Sequence, residues 1–309
     1  MEKDLQNNTN VNENALNIDV SSSEDQNEDF LIDALEQKPQ RIRVIGPRHP
    51  TLISSKINSI SSSNKEDWNT AIQKELMNME RLNVWTLRKK KDHPITSTLV
   101  FKEKQDDTGN TVEYQACLCA HTFHQISGVD YQSTFAPAGG LLSLCNLMSF
   151  ATIHKYEFHQ MDVQSAFLNA PLQEKICLEI PQGVLANKET QVLQLNKALY
   201  GLKQASLVWY KHITKWLITL CFQCSITDPC IFWRKGKSSI WLYVHVDYLA
   251  IFIEDFKQEI KKDFDMKELV KARLLLGIKI NHLSDGFSLN KEHYINELAN
   301  RYKIYKVWI

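Results

Sequence analysis

Two aspartates stand out because each lies among apolar residues, where an unpaired charge is costly. Asp162 closes an apolar run at Met161-Asp162-Val163, and Asp247 lies within 239–253, a stretch with almost no other charge. If both carboxylates stood at strand ends on one face of a sheet, they could share divalent cations and support phosphoryl transfer. For Asp247, a tight turn at the tip of a hairpin is an alternative that composition alone favours.

The segments that must position these carboxylates alternate between helical and strand-like periodicity. Apolar residues at three- and four-residue spacing predict a helix capped by the serines at 61–63 or by Asn64, and another helix over 205–220. A strand over 156–163 should lead into a helix near Ser165, and two β-prone runs meet at Asp247. The other predicted elements are strands 98–102 and 112–120, a hairpin of 276–283 and 287–289, and a final helix from Lys291. The pattern predicts an α+β domain with an antiparallel sheet and helices on one side of it.

Charge and composition divide the chain into two parts. Residues 1–65 are rich in Asn, Ser, Asp and Glu, which predicts a disordered tail and linker before a folded domain at 66–309. Residues 1–30 carry eight acidic residues against Lys3, so the chain's formal charge of zero leaves +7 for the rest. A mildly basic domain suits phosphate binding without identifying it. The absence of an 18-residue apolar run predicts no membrane span.

The cysteines and one short motif could indicate other chemistry. The seven cysteines are scattered singly, and with no signal peptide they are expected to be free thiols in a protein that is not secreted. Cys221 and Cys224 form a C-x-x-C, for which buried structural cysteines are favoured over a zinc site. Asp107-Thr108-Gly109 is typical of aspartic proteases, but its polar neighbours favour a hairpin turn.

Short motifs in a fixed order give a much more specific signal. Met161-Asp162-Val163 lies within 159–169, and Tyr200-Gly201-Leu202-Lys203-Gln204 lies within 196–205. Further matching segments are 66–76, 82–85, 100–102, 128–131, 134–137, 209–210, 228–232, 243–247, 264–267 and 276–280. Over about 66–303, the chain resembles the reverse transcriptase of copia-type LTR retrotransposons, in which that region is part of a Pol polyprotein.

The resemblance implies a right-hand polymerase with fingers at about 66–155, a palm with an antiparallel sheet at about 156–290, and the start of a thumb at 291–309. Two Mg²⁺ ions would be ligated by Asp162, Asp247 and the carbonyl of Val163. The partners would be an RNA template, a DNA primer and deoxynucleoside triphosphates, without integrase or RNase H in this chain. The expected location is cytoplasmic, in the virus-like particle of an intact element, or nuclear.

The resemblance also assigns a nucleotide pocket. Phe167 would pack under the incoming sugar and exclude a 2′-hydroxyl. Tyr200, Gly201 and Lys203 would line the pocket, with Gly201 permitting close backbone approach. For Lys203, a solvated surface lysine remains the alternative.

This chain departs from the family at functional positions. Tyr248 stands where the family has a second aspartate, and a phenol lacks the charge of a carboxylate at neutral pH. Gln115 and Cys117 replace a Lys and an Arg that would hold the triphosphate. We therefore predict impaired polymerisation, and three hypotheses remain: an active polymerase, a nucleic-acid-binding relic that does not polymerise, and a co-opted non-enzymatic binding module.

Overall fold

The computed structural model describes residues 64–90, 93–105, 110–236, 239–252, 256–269, 274–275, 278–283 and 286–302. The predicted tail and linker lies outside these ranges except for its last two residues, as do the Asp-Thr-Gly at 107–109 and the final residues 303–309. Within the described part of the chain, no helix is long and apolar enough to cross a membrane.

Helices and strands alternate along the chain. The helices are α1 (Lys65–Arg81), α2 (Leu141–Ile153), α3 (Ala166–Asn169), α4 (Ala205–Thr219), α5 (Phe256–Asp263) and α6 (Glu292–Arg301), with a 3₁₀ turn at Thr122–His124. The strands are β1 (Trp85–Lys89), β2 (Ser97–Gln105), β3 (Thr111–Ala120), β4 (Phe158–Val163), β5 (Cys177–Leu178), β6 (Gln191–Leu195), β7 (Gln223–Cys224), β8 (Ile231–Arg234), β9 (Ile240–His245), β10 (Tyr248–Phe252), β11 (Met266–Leu269), β12 (Leu274–Leu275), β13 (Ile278–Leu283) and β14 (Gly286–Asn290). Within the described residues, these bounds confirm the helices predicted before 82 and over 205–220, and the paired strands of both predicted hairpins. The hairpin turns at 106–109 and 284–285 and residues 276–277 lie outside the described residues.

Two local predictions need correction. Asn64 makes no capping hydrogen bond to α1, and its amide donates instead to the Tyr114 hydroxyl at 2.6 Å. The helix after Ser165 is a single turn that ends at Asn169. Pro171 follows two residues later, and the residue before a proline is pushed away from helical conformation.

The paired strands of the described residues form four sheets rather than one. The largest is a six-stranded antiparallel sheet in the order β11-β4-β10-β9-β8-β7. The β2–β3 hairpin forms a separate two-stranded sheet, and α1 packs against one of its faces. There the Trp68 ring packs edge-on at 5.2 Å from Phe101 and 4.6 Å from Tyr114, measured between ring centroids.

Helices cover both faces of the six-stranded sheet, which corrects the prediction of helices on one side. Leu249 and Ile251 of β10 belong to a buried cluster that includes residues of α4 and α5. Ala250 and Phe252 alternate with them and belong to a second cluster with residues of α2. Because side chains alternate along a strand, the two clusters lie on opposite faces.

Candidate active site

The fold brings the two aspartates to one edge of the sheet. Asp162 is the next-to-last residue of β4, and Asp247 lies in the turn between β9 and β10, where His245 pairs with Tyr248. The amide of Val163 donates to the Asp247 carbonyl at 2.9 Å, which joins the turn to β4. Asp247 is therefore a hairpin-tip residue, as the turn alternative predicts, and it is also a neighbour of β4 next to Asp162.

The turn that carries Asp247 has an unusual backbone. Val246 is in the left-handed region at φ +57°, which is costly for a β-branched residue. The indole N–H of Trp209 in α4 donates to the Val246 carbonyl at 2.6 Å. This hydrogen bond, together with the one from Val163, fixes the direction of the turn.

Burial raises the pKa of both carboxyl groups, and the charge of Asp162 raises that of Asp247 further. The pKa of Asp247 is raised to about 6, first by burial and then by the nearby charge of Asp162. Burial also raises the pKa of Asp162, although a 2.7 Å hydrogen bond from the Gln164 amide and the charges of Lys267 and Lys104 oppose it. Two half-buried acids, one of which raises the pKa of the other, form a site where a cation would be stabilising.

Tyr248 lies directly beside this pair. In the antiparallel register, Asp162 is opposite Tyr248 on one side and Lys267 on the other, so the three side chains share one face. Burial, then the charges of Asp247 and Asp162, raises the pKa of Tyr248. Its phenol is therefore neutral at physiological pH and adds no negative charge to the site.

One face of the β2–β3 hairpin carries Gln115 and Cys117, the two positions predicted to contact the triphosphate. Burial, followed by the charge of Glu75, raises the pKa of the Cys117 thiol to about 11, so this thiol is neutral. Gln115, two residues earlier on the same face, lies directly opposite Lys102 of β2. Lys104 is bound to Glu113 at 2.7 Å. The face thus lacks cations on β3 but keeps two on β2.

Tyr200 connects the hairpin to the carboxylates. Its ring is 5.2 Å from the Phe167 ring, between centroids, in a tilted arrangement. Burial raises its pKa first, and the charges of Glu75, Asp247 and Asp162 raise it further, which places Tyr200 within electrostatic range of both aspartates. Of the predicted pocket residues, Tyr200 therefore lies within electrostatic range of the two aspartates, and Phe167 packs beside it.

Gly201 makes the close approach that the sequence predicts, and its neighbour is the backbone of β3. Its φ is +87°, and a Cβ added there would lie 2.3 Å from the Ala120 carbonyl oxygen. The amide of Ala120 also donates to the Tyr200 carbonyl at 2.7 Å. A residue with a side chain would push the hairpin away from this turn.

Lys203 is exposed and points to a tyrosine rather than to the acids. Its ammonium lies 3.2 Å from the Tyr131 hydroxyl and 4.7 Å from the centroid of that ring. Its backbone amide donates to the buried Gln125 side chain at 2.9 Å. Lys203 is thus a surface residue, as the alternative interpretation predicted.

Three residues near the site were not predicted from the sequence. Gln164 donates a hydrogen bond to Asp162, and Lys267 lies opposite Asp162 on the neighbouring strand. Glu75 accepts a hydrogen bond from the amide of Leu118, the residue after Cys117, at 3.2 Å. Burial raises the pKa of Glu75. Gln164 could have been found as the polar residue two positions after Asp162, whereas the other two depend on strand register and helix docking.

The donor set for a metal is small. Among the described residues, no group of three or more His, Cys, Asp or Glu side chains could hold a metal ion, including around Cys221 and Cys224. Cys221 is exposed, which contradicts the expectation that both cysteines are buried. Two carboxylates, Asp162 and Asp247, fit Mg²⁺, which binds through one or two carboxylates together with substrate phosphates.

A mixed α/β domain with antiparallel sheets is compatible with a polymerase domain, and comparison with known proteins defines the family. Residues 82–307 match the family model for reverse transcriptase (RNA-dependent DNA polymerase). The chain belongs to this reverse transcriptase family, and the resemblance to copia-type elements is confirmed by its relatives.

These relatives are large polyproteins. Over 79% of this chain, the retrovirus-related Pol polyprotein from transposon TNT 1-94 of Nicotiana tabacum is 31% identical. The Pol polyproteins from transposons RE1 and RE2 of Arabidopsis thaliana are 28% identical over 79% and 30% identical over 65% of the chain. The chain spans only 19%, 17% and 14% of the lengths of these three relatives.

Proposed function

We propose that this chain is a reverse transcriptase domain that binds an RNA template, a DNA primer and a deoxynucleotide, but polymerises poorly. The observation that carries the proposal is the pairing of Asp162 with Asp247 on one sheet edge, with Tyr248 in register beside Asp162. The paired acids support metal-dependent nucleotidyl transfer. The neutral phenol at the third position supports impairment.

The arrangement of elements supports a right-hand polymerase. In this proposal the six-stranded sheet with α4 and α5 is the palm, and α1 with the β2–β3 hairpin belongs to the fingers. Helix α6 begins the thumb. The nucleotide would bind beside the Phe167 and Tyr200 rings, and the Phe167 ring would lie under the incoming sugar.

The residues around the two aspartates each have a defined task in this proposal. Asp162, Asp247 and the carbonyl of Val163 hold two Mg²⁺ ions, which when bound supply the charge that activates the primer hydroxyl and stabilises the leaving oxygen. Asp247, with a pKa of about 6, is ionised and able to bind a cation at pH 7.5. Gln164 orients Asp162 through its 2.7 Å hydrogen bond.

The same structure explains why the reaction should be slow. A third acid would help to balance the ions, and Tyr248 supplies no charge. Gln115 and the neutral thiol of Cys117 leave the triphosphate without two positive partners, and removing one such group can cost about 10²–10³ in rate. Lys102 and Lys104 remain on β2, but Lys104 is bound to Glu113.

Primer extension on an RNA template tests the proposal. We expect no detectable extension by the parent chain with Mg²⁺ or Mn²⁺, and extension by the triple variant Tyr248→Asp, Gln115→Lys and Cys117→Arg. Adding Asp162→Asn to the triple variant should abolish the product. A matched control is Tyr294→Asp in α6, an exposed tyrosine in another part of the chain.

Two results would contradict the proposal in different ways. A parent chain as active as the triple variant would show that the three replaced positions do not limit catalysis. A triple variant that binds primer–template yet does not extend it would show that the impairment lies elsewhere. Such binding by an inactive chain would favour the second candidate, a binding module without polymerase activity, which the basic balance of residues 31–309 supports.

A further inference from the structure

An aromatic residue beside the candidate nucleotide pocket is held out into water. Phe123 lies in the 3₁₀ turn after β3 and is 73% exposed. Its ring stacks on His121 with centroids 5.1 Å apart and an angle of 24° between planes, and it meets His124 edge-on at 4.2 Å. Single exposed apolar residues are ordinary on protein surfaces. A ring that is both exposed and stacked in a fixed assembly needs more explanation.

The turn that carries Phe123 is fixed on both sides. The Thr96 hydroxyl lies 2.7 Å from Nδ1 of His121 and 3.1 Å from Nδ1 of His124, so one hydroxyl holds the two rings that flank Phe123. On the other side, the buried amide of Gln125 donates to the Gln204 side chain at 3.0 Å. The Gln125 side-chain oxygen accepts the Lys203 amide at 2.9 Å. The aromatic group is therefore pre-organised before any ligand arrives.

The position of this turn connects it to the candidate site. Ala120, directly before His121, bonds through its amide to the Tyr200 carbonyl at 2.7 Å. Lys203 lies in the same anchored segment and places its ammonium over the Tyr131 ring. A stacked aromatic pair and a lysine thus adjoin the Tyr200–Gly201 turn, and this combination binds single-stranded nucleic acid by base stacking and phosphate attraction.

We propose that Phe123, stacked on His121, is a platform for an unpaired base of the template strand ahead of the position being copied. This inference rests on the proposed function, since it needs a template in the cleft. Because every base has a flat face, the platform would accept any sequence. It would add affinity for a single-stranded extension and leave affinity for the paired region unchanged.

The experiment compares two primer–templates that differ only in a short unpaired template extension. One is a blunt RNA:DNA duplex, and the other carries the extension with 2-aminopurine, whose fluorescence falls when it stacks. Each duplex is titrated with four full-length proteins: the parent chain and the variants Phe123→Ala, Phe123→Trp and Leu185→Ala. Leu185, fully exposed in the connection between β5 and β6, is the matched apolar control.

We expect the parent chain to bind the extended duplex about tenfold more tightly than the blunt one, and to quench the 2-aminopurine. Phe123→Ala should lose both the tightening and the quenching while keeping its affinity for the blunt duplex. Phe123→Trp and Leu185→Ala should behave like the parent. Because Phe123 is exposed, all four proteins should unfold at the same urea concentration, and this comparison serves as the folding control.

Four outcomes would overturn the inference. Equal affinity of the parent for both duplexes, or unchanged quenching in Phe123→Ala, would remove the platform and leave the proposed function standing. An equal loss of both affinities in Phe123→Ala would assign Phe123 to duplex binding instead. Absence of binding to either duplex by any of the four proteins would refute the proposed function, and the platform with it.

Discussion

Replacing Asp247 with Asn should make the metal-free protein more stable at neutral pH. The folded protein raises the pKa of Asp247 to about 6, mainly through burial and the charge of Asp162. An aspartate in an unfolded chain has a pKa of about 3.9, and each unit of difference corresponds to about 1.4 kcal/mol. The charged form therefore lowers the free energy of unfolding by up to about 3 kcal/mol, a cost that the neutral amide avoids.

Because folding raises the pKa of Asp247, the effect of the substitution depends on pH. Between pH 4 and 6 the folded state binds more protons than the unfolded state, so the stability contributed by protonated Asp247 is lost as pH rises. Below about pH 4 both states are protonated and the cost disappears. The advantage of Asp247→Asn should thus be absent at pH 4, grow through pH 5 and reach its full size above pH 6.

Urea unfolding at a series of pH values measures this difference, with Glu189→Gln, an exposed acid in the connection before β6, as the control. The control variant should track the parent chain throughout. A stability difference between Asp247→Asn and the parent that stays constant from pH 4 to 7.5 would refute the reasoning, as would an Asn variant that is less stable at pH 7.5.

Other predictions follow from the same region. Mg²⁺ should raise the melting temperature of the parent chain at pH 7.5 but much less at pH 5, and Asp162→Asn should abolish the effect; a shift that survives this change would disprove the assigned site. Gly201→Ala should lower the free energy of unfolding by about 3 kcal/mol, because its Cβ would meet the Ala120 carbonyl, whereas Gly128→Ala, which meets nothing within 4 Å, should cost only about 1 kcal/mol; equal losses in urea titrations would contradict this. Val246→Gly should stabilise the chain by about 1 kcal/mol by relieving a left-handed valine, and a lower urea midpoint would contradict that.

Local patterns were enough to predict most helices and strands. The apolar spacing from Trp68 onward and over 205–220 gave α1 and α4, and β-prone runs gave β9 and β10. The number of sheets was not predictable, because it depends on which non-neighbouring strands pair. The docking of α1 on the β2–β3 hairpin depends on Trp68 packing against Phe101, a tertiary contact that no short segment encodes.

For the same reason, only some residues of the candidate site could be predicted from the sequence. Asp162 and Asp247 were marked by their apolar surroundings, whereas the roles of Phe167 and Tyr200 came from family resemblance. Nothing in the local sequence places Lys267 beside Asp162, since that neighbour follows from the register of β11 on β4.

The repulsion between Asp162 and Asp247 has an evolutionary consequence. The charge of Asp247 lowers the stability of the folded, metal-free chain, so substitutions that remove negative charge beside it relieve this cost. In a copy whose spread no longer depends on its own polymerase, such substitutions should accumulate sooner than changes in the buried clusters. A tyrosine at position 248 amid an intact core is the kind of sequence that this bias produces.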